Sequence, residues 1–136
     1  MDAATIFRIV NVLPLPVWAI WMLAPRSSLS RALAGSLWPW KLLAGLYAIG
    51  VPIAFATSSG GDFSSLAGVM QLFQNPWGAL IGWIHYLCFD LFVGRWIMND
   101  APDGGYRLAP VLFLTLMLGP AGLLLYMSMR TFFQGK

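Results

Sequence analysis

The segment Gly82 to Ile97, GWIHYLCFDLFVGRWI, carries the chain's only histidine together with a cysteine, an aspartate and an arginine, in a stretch otherwise made of apolar and aromatic residues. An ionised Asp or Arg near the centre of a membrane helix costs ~2.5–3.5 kcal/mol even on insertion scales. Imidazole and carboxylate are also the usual groups of general acid–base catalysis. Placed on a helix at ~100° per residue, His85, Cys88, Phe92 and Arg95 follow one side, and Trp83, Tyr86, Asp90 and Gly94 another. His85 and Asp90 therefore do not pair on this helix. Both are expected to point from its flanks into a bundle interior, toward Arg8 and Asn11 near the N-terminus or Tyr126 near the C-terminus. Asp90 most needs such a partner, because burial disfavours its charged form. A fixed ion pair between Asp90 and an arginine, and a hydrogen-bonded core histidine at position 85, stand beside the catalytic alternative.

The inventory excludes most other chemistry. One His, one Cys and no Glu cannot supply a di-iron carboxylate centre, a four-ligand zinc site or a bis-histidine haem. Neither metal nor cofactor is expected. Cys88 has no internal disulfide partner and is expected to be buried filler. No Gly-rich phosphate loop and no serine triad is present, so an enzyme built from this chain must work by cofactor-free acid–base chemistry.

A chain that is 59% hydrophobic and 10% charged over 136 residues exposes too much apolar surface for a soluble domain of its size. Long apolar stretches at Thr5–Leu23, Trp38–Thr57, Trp77–Met98 and Leu108–Met129 are each about twenty residues, enough to cross a hydrocarbon core of ~30 Å. The fold expected over residues 1–136 is a single all-α membrane domain of four transmembrane helices. The first stretch lacks a small-residue cleavage site and is broken by Pro14 and Pro16, so it reads as a span and not a secretory signal. The loop SSGGDFSSLAGVMQLFQN sets Phe63, Leu66, Val69, Met70 and Phe73 at helical spacing, predicting a short interfacial helix between spans two and three. Asn75 and Pro76 read as the start of span three, and NDAPDGGYR as a plain turn.

Charge gives orientation. Arg26, Arg31, Lys41, Arg95 and Arg107 flank the first and third loops, whereas Arg8, Arg130 and Lys136 lie on the other side. Five against three places both termini outside the cytoplasm. The scattered basic residues suit contact with membrane lipids and not nucleic acid. Trp21, Trp38, Trp40, Trp77 and Trp96 are expected as interfacial anchors, with Trp18 and Trp83 deeper. Gly78 to Gly82, GALIG, permits close approach of another helix, within the chain or in a homo-oligomer. Pro14, Pro16, Pro52 and Pro120 free backbone carbonyls and bend their helices, which predicts a splayed bundle with an internal cavity, unless they are merely the prolines common in membrane helices.

The stretches NVLPLPVWAIWMLAP, NPWGALIGWIHYLCFDLFVGRWI with Asp100, and GPAGLLLY resemble the abscisic acid deficient four-like family of small integral membrane proteins, over nearly the whole chain. The resemblance implies carotenoid chemistry: in plants the family is associated with forming neoxanthin from violaxanthin. That step is an isomerisation of a ring epoxide to an allenic alcohol. His85 would serve as acid or base, Asp90 as base or as the group orienting His85, and Tyr86 or Arg95 would steady the oxyanion. A carotenoid or other isoprenoid lipid would lie against Asn11, Trp83, Phe89, Phe92, Trp96 and Phe113. A non-catalytic carotenoid-binding or assembly partner is the alternative. With no chloroplast transit segment ahead of span one, the chain resembles a bacterial member of the cytoplasmic or a thylakoid-type membrane.

Overall fold

The computed structural model describes residues 2–101 and 108–134, with side chains as far as Thr131. Arg107, Lys136 and most of the NDAPDGGYR turn lie outside the described residues. The described residues form helices joined by turns, bends and short irregular segments, with no strand among them. Among the described residues, three segments are long and apolar enough to cross a membrane: Ala3–Leu23, Trp38–Thr57 and Pro76–Asp100.

Prolines set the breaks. Helix α1 (Ala3–Val12) starts on Asp2, whose Oδ1 accepts from the Thr5 amide at 2.8 Å. Continuation through Pro14 and Pro16 would leave the carbonyls of Val10 and Val12 without donors. The first span accordingly splits, and α2 runs from Leu15 to Leu23. Helix α3 (Ser28–Gly35) was not expected, although its start is marked by Ser27, whose hydroxyl accepts from the Ser30 amide at 3.0 Å. Helix α4 (Trp38–Thr57) matches the sequence reading and carries Pro52 inside it without interruption. The segment read as an interfacial helix forms α5 (Leu66–Gln74), capped by Ser65, with Phe63 just ahead of it. Asn75 then accepts from the Trp77 amide at 2.8 Å and opens α6 (Pro76–Asp100), 25 residues long.

The fourth apolar stretch is interrupted. Helix α7 (Leu108–Leu118) ends at Gly119, whose φ is +34°, and α8 (Pro120–Gln134) begins at the next residue. A glycine that tolerates positive φ followed by a proline lacking an N–H is a combined stop and start. Eleven residues rise only about 16 Å, so α7 alone cannot cross a bilayer.

The chain packs as two compact units, with α6 contributing to both. The first comprises residues up to Leu13 and Pro39–Cys88, the second Pro14–Trp38 and Phe89 onward. In the first, Ala3, Val10, Leu80, Ile81 and Ile84 make the core, with Ile6, Leu46 and Tyr47 packed against it. Gly50 lets α4 approach closely, because a β-carbon there would collide with Ile81. In the second, Trp18 and Trp21 meet edge to face with ring centroids 5.7 Å apart. Gly94 makes room for both rings.

Two tryptophan assignments are corrected. Trp21 and Trp40 are 0% and 7% exposed, so they are core residues and not surface anchors. The unforeseen α3 explains the first, since its Ser30 carbonyl accepts the Trp21 indole N–H at 3.4 Å. Trp38, 67% exposed, keeps its place at the surface.

Candidate functional site

Residues one helical turn apart build the site in the first unit. Tyr47, Val51 and Ala54 form a stripe along α4, and Gly78, Ile81, Gly82 and His85 form another along α6. With Phe63, Leu72 and Phe73 they enclose an apolar cavity of about 310 Å³. His85 lies in its wall, its ring 5.5 Å from that of Tyr47 at an interplanar angle of 55°. His85 is itself exposed, which differs from the interior placement expected. Its helix face meets the cavity mouth and not a closed core.

A second cavity of about 790 Å³ is bounded by Phe7 and Arg8 of α1, Phe73 of α5, and Leu80, Gly82, Trp83 and Tyr86 of α6. Its wall carries an aromatic ladder. Trp83 lies 5.7 Å from Phe7 and stacks on Tyr86 at 5.6 Å and 22°. The Trp83 indole N–H donates to Asn11 Oδ1 at 3.0 Å, which joins α1 to α6 and fixes the ring. Two residues proposed for substrate contact, Asn11 and Trp83, are thus brought together.

The loop between α4 and α5 is tied down by Asp62, which accepts from the Ser64 hydroxyl at 2.6 Å and from the amides of Ser64 and Ser65. The Ser64 hydroxyl and these backbone donors hold its carboxyl below the usual range. Asn75 Nδ2 donates to Thr57 Oγ1 at 3.2 Å, linking the end of α5 to the end of α4.

In the second unit Asp90 is buried, 7% exposed, with its carboxylate against Gly119, so that any β-carbon at 119 would overlap it. The acid faces the break at which α8 begins, where free backbone N–H groups and the helix dipole favour a negative group. Arg95 donates Nε–H to the Ala34 carbonyl at 2.8 Å, and Asn99 donates to the same oxygen at 3.0 Å. Ala34 lies in the last turn of α3, where an arginine satisfies an orphan carbonyl and complements the dipole. Among the residues named as catalytic, His85 and Tyr86 belong to the first unit and Asp90 and Arg95 to the second.

Further assignments change. Tyr126 was expected to face His85 or Asp90; its hydroxyl instead donates to Asp100 Oδ2 at 2.7 Å. Arg130 holds Asp100 through both oxygens, at 2.6 and 2.9 Å. Trp96 packs edge-on to Tyr126 at 5.3 Å. Phe89, Phe92 and Phe113 stand on the outer surface of the unit and line neither cavity described above. They follow the outward faces of their helices, where membrane proteins carry apolar side chains. Sequence reasoning missed Tyr47, Phe73 and Asn99. Tyr47 could have been found as the single tyrosine of its span; Phe73 looked like surface anchoring of α5.

Among the described residues, helices of membrane-spanning length and composition stand beside an apolar cavity with a histidine in its wall, which is consistent with a membrane protein. The chain belongs to the ABA DEFICIENT 4-like family, whose model matches residues 5–126. It is 24% identical over 128 residues to the Arabidopsis thaliana "Protein ABA DEFICIENT 4, chloroplastic", covering 89% of this chain and 58% of that relative. The chain thus spans little more than half the length of the plant protein. No solved structure matches it.

Proposed function

We propose that this chain is a carotenoid- or xanthophyll-modifying membrane protein, a cofactor-independent acid–base isomerase of an epoxy-carotenoid or related polyene. The observation that carries the reading is His85 beside Tyr47 in the wall of an apolar cavity. At about 310 Å³ the cavity is at the small end of ligand pockets, a size for one ring of a carotenoid and not the whole polyene.

The chemistry needs few groups. A base takes the vinylic proton beside the epoxide, the released electron pair forms the second double bond of the allene, the adjacent carbon–oxygen bond breaks, and an acid protonates the oxygen. The proton removed equals the proton returned, so one residue can act in both steps. A neutral imidazole has one acceptor nitrogen and one donor N–H, and His85 is the chain's only histidine. Tyr47 orients the ring, and Tyr86, on the next face of α6, is the candidate donor to the oxyanion. Asp90 and Arg95 contribute by holding the α7–α8 break and the end of α3.

The reading extends to residues 1–136 forming one domain of four transmembrane spans, with the broken α7–α8 pair as the fourth, in a bacterial cytoplasmic or a thylakoid-type membrane. The hydrogen bond from Arg95 Nε to the end of α3 suits a second reading, a non-catalytic carotenoid or isoprenoid-lipid binder, in which this arginine has a structural role.

Expression in a violaxanthin-producing bacterium separates the two. An isomerase yields a new pigment with its precursor's mass, and a binder co-purifies with unchanged pigment. His85→Gln is expected to lower product by ~10²-fold or more, as loss of a general acid or base does, while the protein stays folded in the membrane. Undiminished product from His85→Gln would remove the histidine from the mechanism.

A further inference from the structure

The two cavities of the first unit share two wall residues, Phe73 and Gly82. Gly82 sits beneath the Phe73 ring, so that a β-carbon there would run into it. No larger residue at position 82 lets the ring lie where it does. Phe73 is carried by α5, the short helix preceded by Gly60 and Gly61 in the positive-φ region, and the side chain is 51% exposed. Its ring is therefore a partition held from one side by a side chain with room to rotate.

The chambers on either side differ in kind. One is compact, about 310 Å³, and presents His85 and Tyr47. The other is about 790 Å³ and presents the Phe7, Trp83 and Tyr86 ladder. A polar-tipped ring suits the first. An extended conjugated chain suits the second, because stacked and tilted aromatic faces bind a flat π-system along its length.

We infer that the two cavities are two lobes of one ligand site, that a ring-ended polyene occupies both at once, and that the Phe73 ring, seated on Gly82, is the gate between them which selects for ligand length. This rests on the carotenoid reading above and names the residue that determines which members of that class fit. A short polyene fills one lobe and leaves Phe73 in place. A full-length one must displace the ring, and the aromatic ladder compensates for doing so.

The test uses the full chain in detergent micelles with two probes: violaxanthin, a full-length epoxy-xanthophyll, and retinol, which has one ring and about half the polyene. Binding is read as pigment retained through gel filtration and as induced circular dichroism in the polyene band, which reports a chiral site and not solution in detergent. Wild type is expected to bind both. Gly82→Leu and Phe73→Trp, which fill the junction, should weaken violaxanthin binding by ~10-fold or more, the scale on which apolar pockets respond to an added or missing methylene. Retinol binding should stay within ~3-fold on that scale.

Phe73→Ala opens the junction at a half-exposed position that the fold tolerates, and should strengthen violaxanthin binding with little change for retinol. Equal effects on both probes across these variants, or none on either, would overturn the two-lobed site while leaving the carotenoid reading intact. Wild-type protein that binds neither probe would overturn both. Violaxanthin binding with the expected length dependence and no isomerised product would sustain the gate and remove the catalytic reading alone.

Discussion

Asp62 shows how a single carboxylate can organise a loop without burial. Its one oxygen collects a hydroxyl and two amides of the residues that lead into α5, and these donors favour the ionised form. The sign follows from linkage. A carboxyl whose folded pKa lies below its unfolded value of ~3.9 contributes its stability above that value and loses it as pH falls through the folded pKa. Acidification from about pH 4 down through the lowered folded pKa is therefore expected to open the Asp62–Ser65 turn, seen as faster amide hydrogen exchange at Ser64 and Ser65. The Asp62→Asn variant should exchange fast throughout, with no step over this range. A wild-type rate as flat as that of the variant would show that the carboxylate does not hold the loop.

At the scale of elements, one residue type has opposite roles between helices and within one. Gly119 has positive φ and the Asp90 carboxylate against it, whereas Gly45, inside α4, has open space where a β-carbon would go. Gly119→Ala combines left-handed strain with overpacking against a buried acid and is expected to cost about 2 kcal/mol or more. Gly45→Ala should instead stabilise α4 by ~0.5–1 kcal/mol, through lower chain entropy and better helix propensity. Reversible unfolding in detergent checks both, and equal effects would remove Gly119 as the hinge between α7 and α8. The contrast bears on the buried acid as well. Asp90 lies where a helix begins, a place that favours a negative group, and that beginning depends on a glycine followed by a proline.

For the whole molecule, the outstanding question is how the chain crosses the membrane. Lys and Arg on the first and third loops outnumber those on the other side, and the positive-inside rule then predicts both termini outside the cytoplasm. In a Cys88→Ser background, Ser59→Cys in the second loop is expected to react with a membrane-impermeant maleimide added to intact cells, and Ser28→Cys only after permeabilisation. The opposite pattern would invert the topology, and labelling of both from one side would exclude four spans.

Residue type and spacing made a good part of this protein legible. Apolar runs of membrane length located α4 to within a residue at each end and α6 to within two, because hydrocarbon burial acts on each segment separately. Asn75 and Pro76 announced the start of α6, and Pro14 the break in the first span, because capping and the missing proline N–H are local. The family was visible in the Trp83–Trp96 string. Other features depended on which segments pack together, and no single segment encodes that. Trp21 belongs to the core because α3 lies against it, Tyr126 serves Asp100 and not Asp90, and Arg95 ends a helix that the sequence did not announce. Likewise Phe73 is a surface residue of α5, and only the fold brings its half-exposed ring against Gly82 of α6. Pairing across distant segments is decided by complementary shape and by the need of each buried donor and acceptor for a partner, and both conditions exist only once the chain is folded.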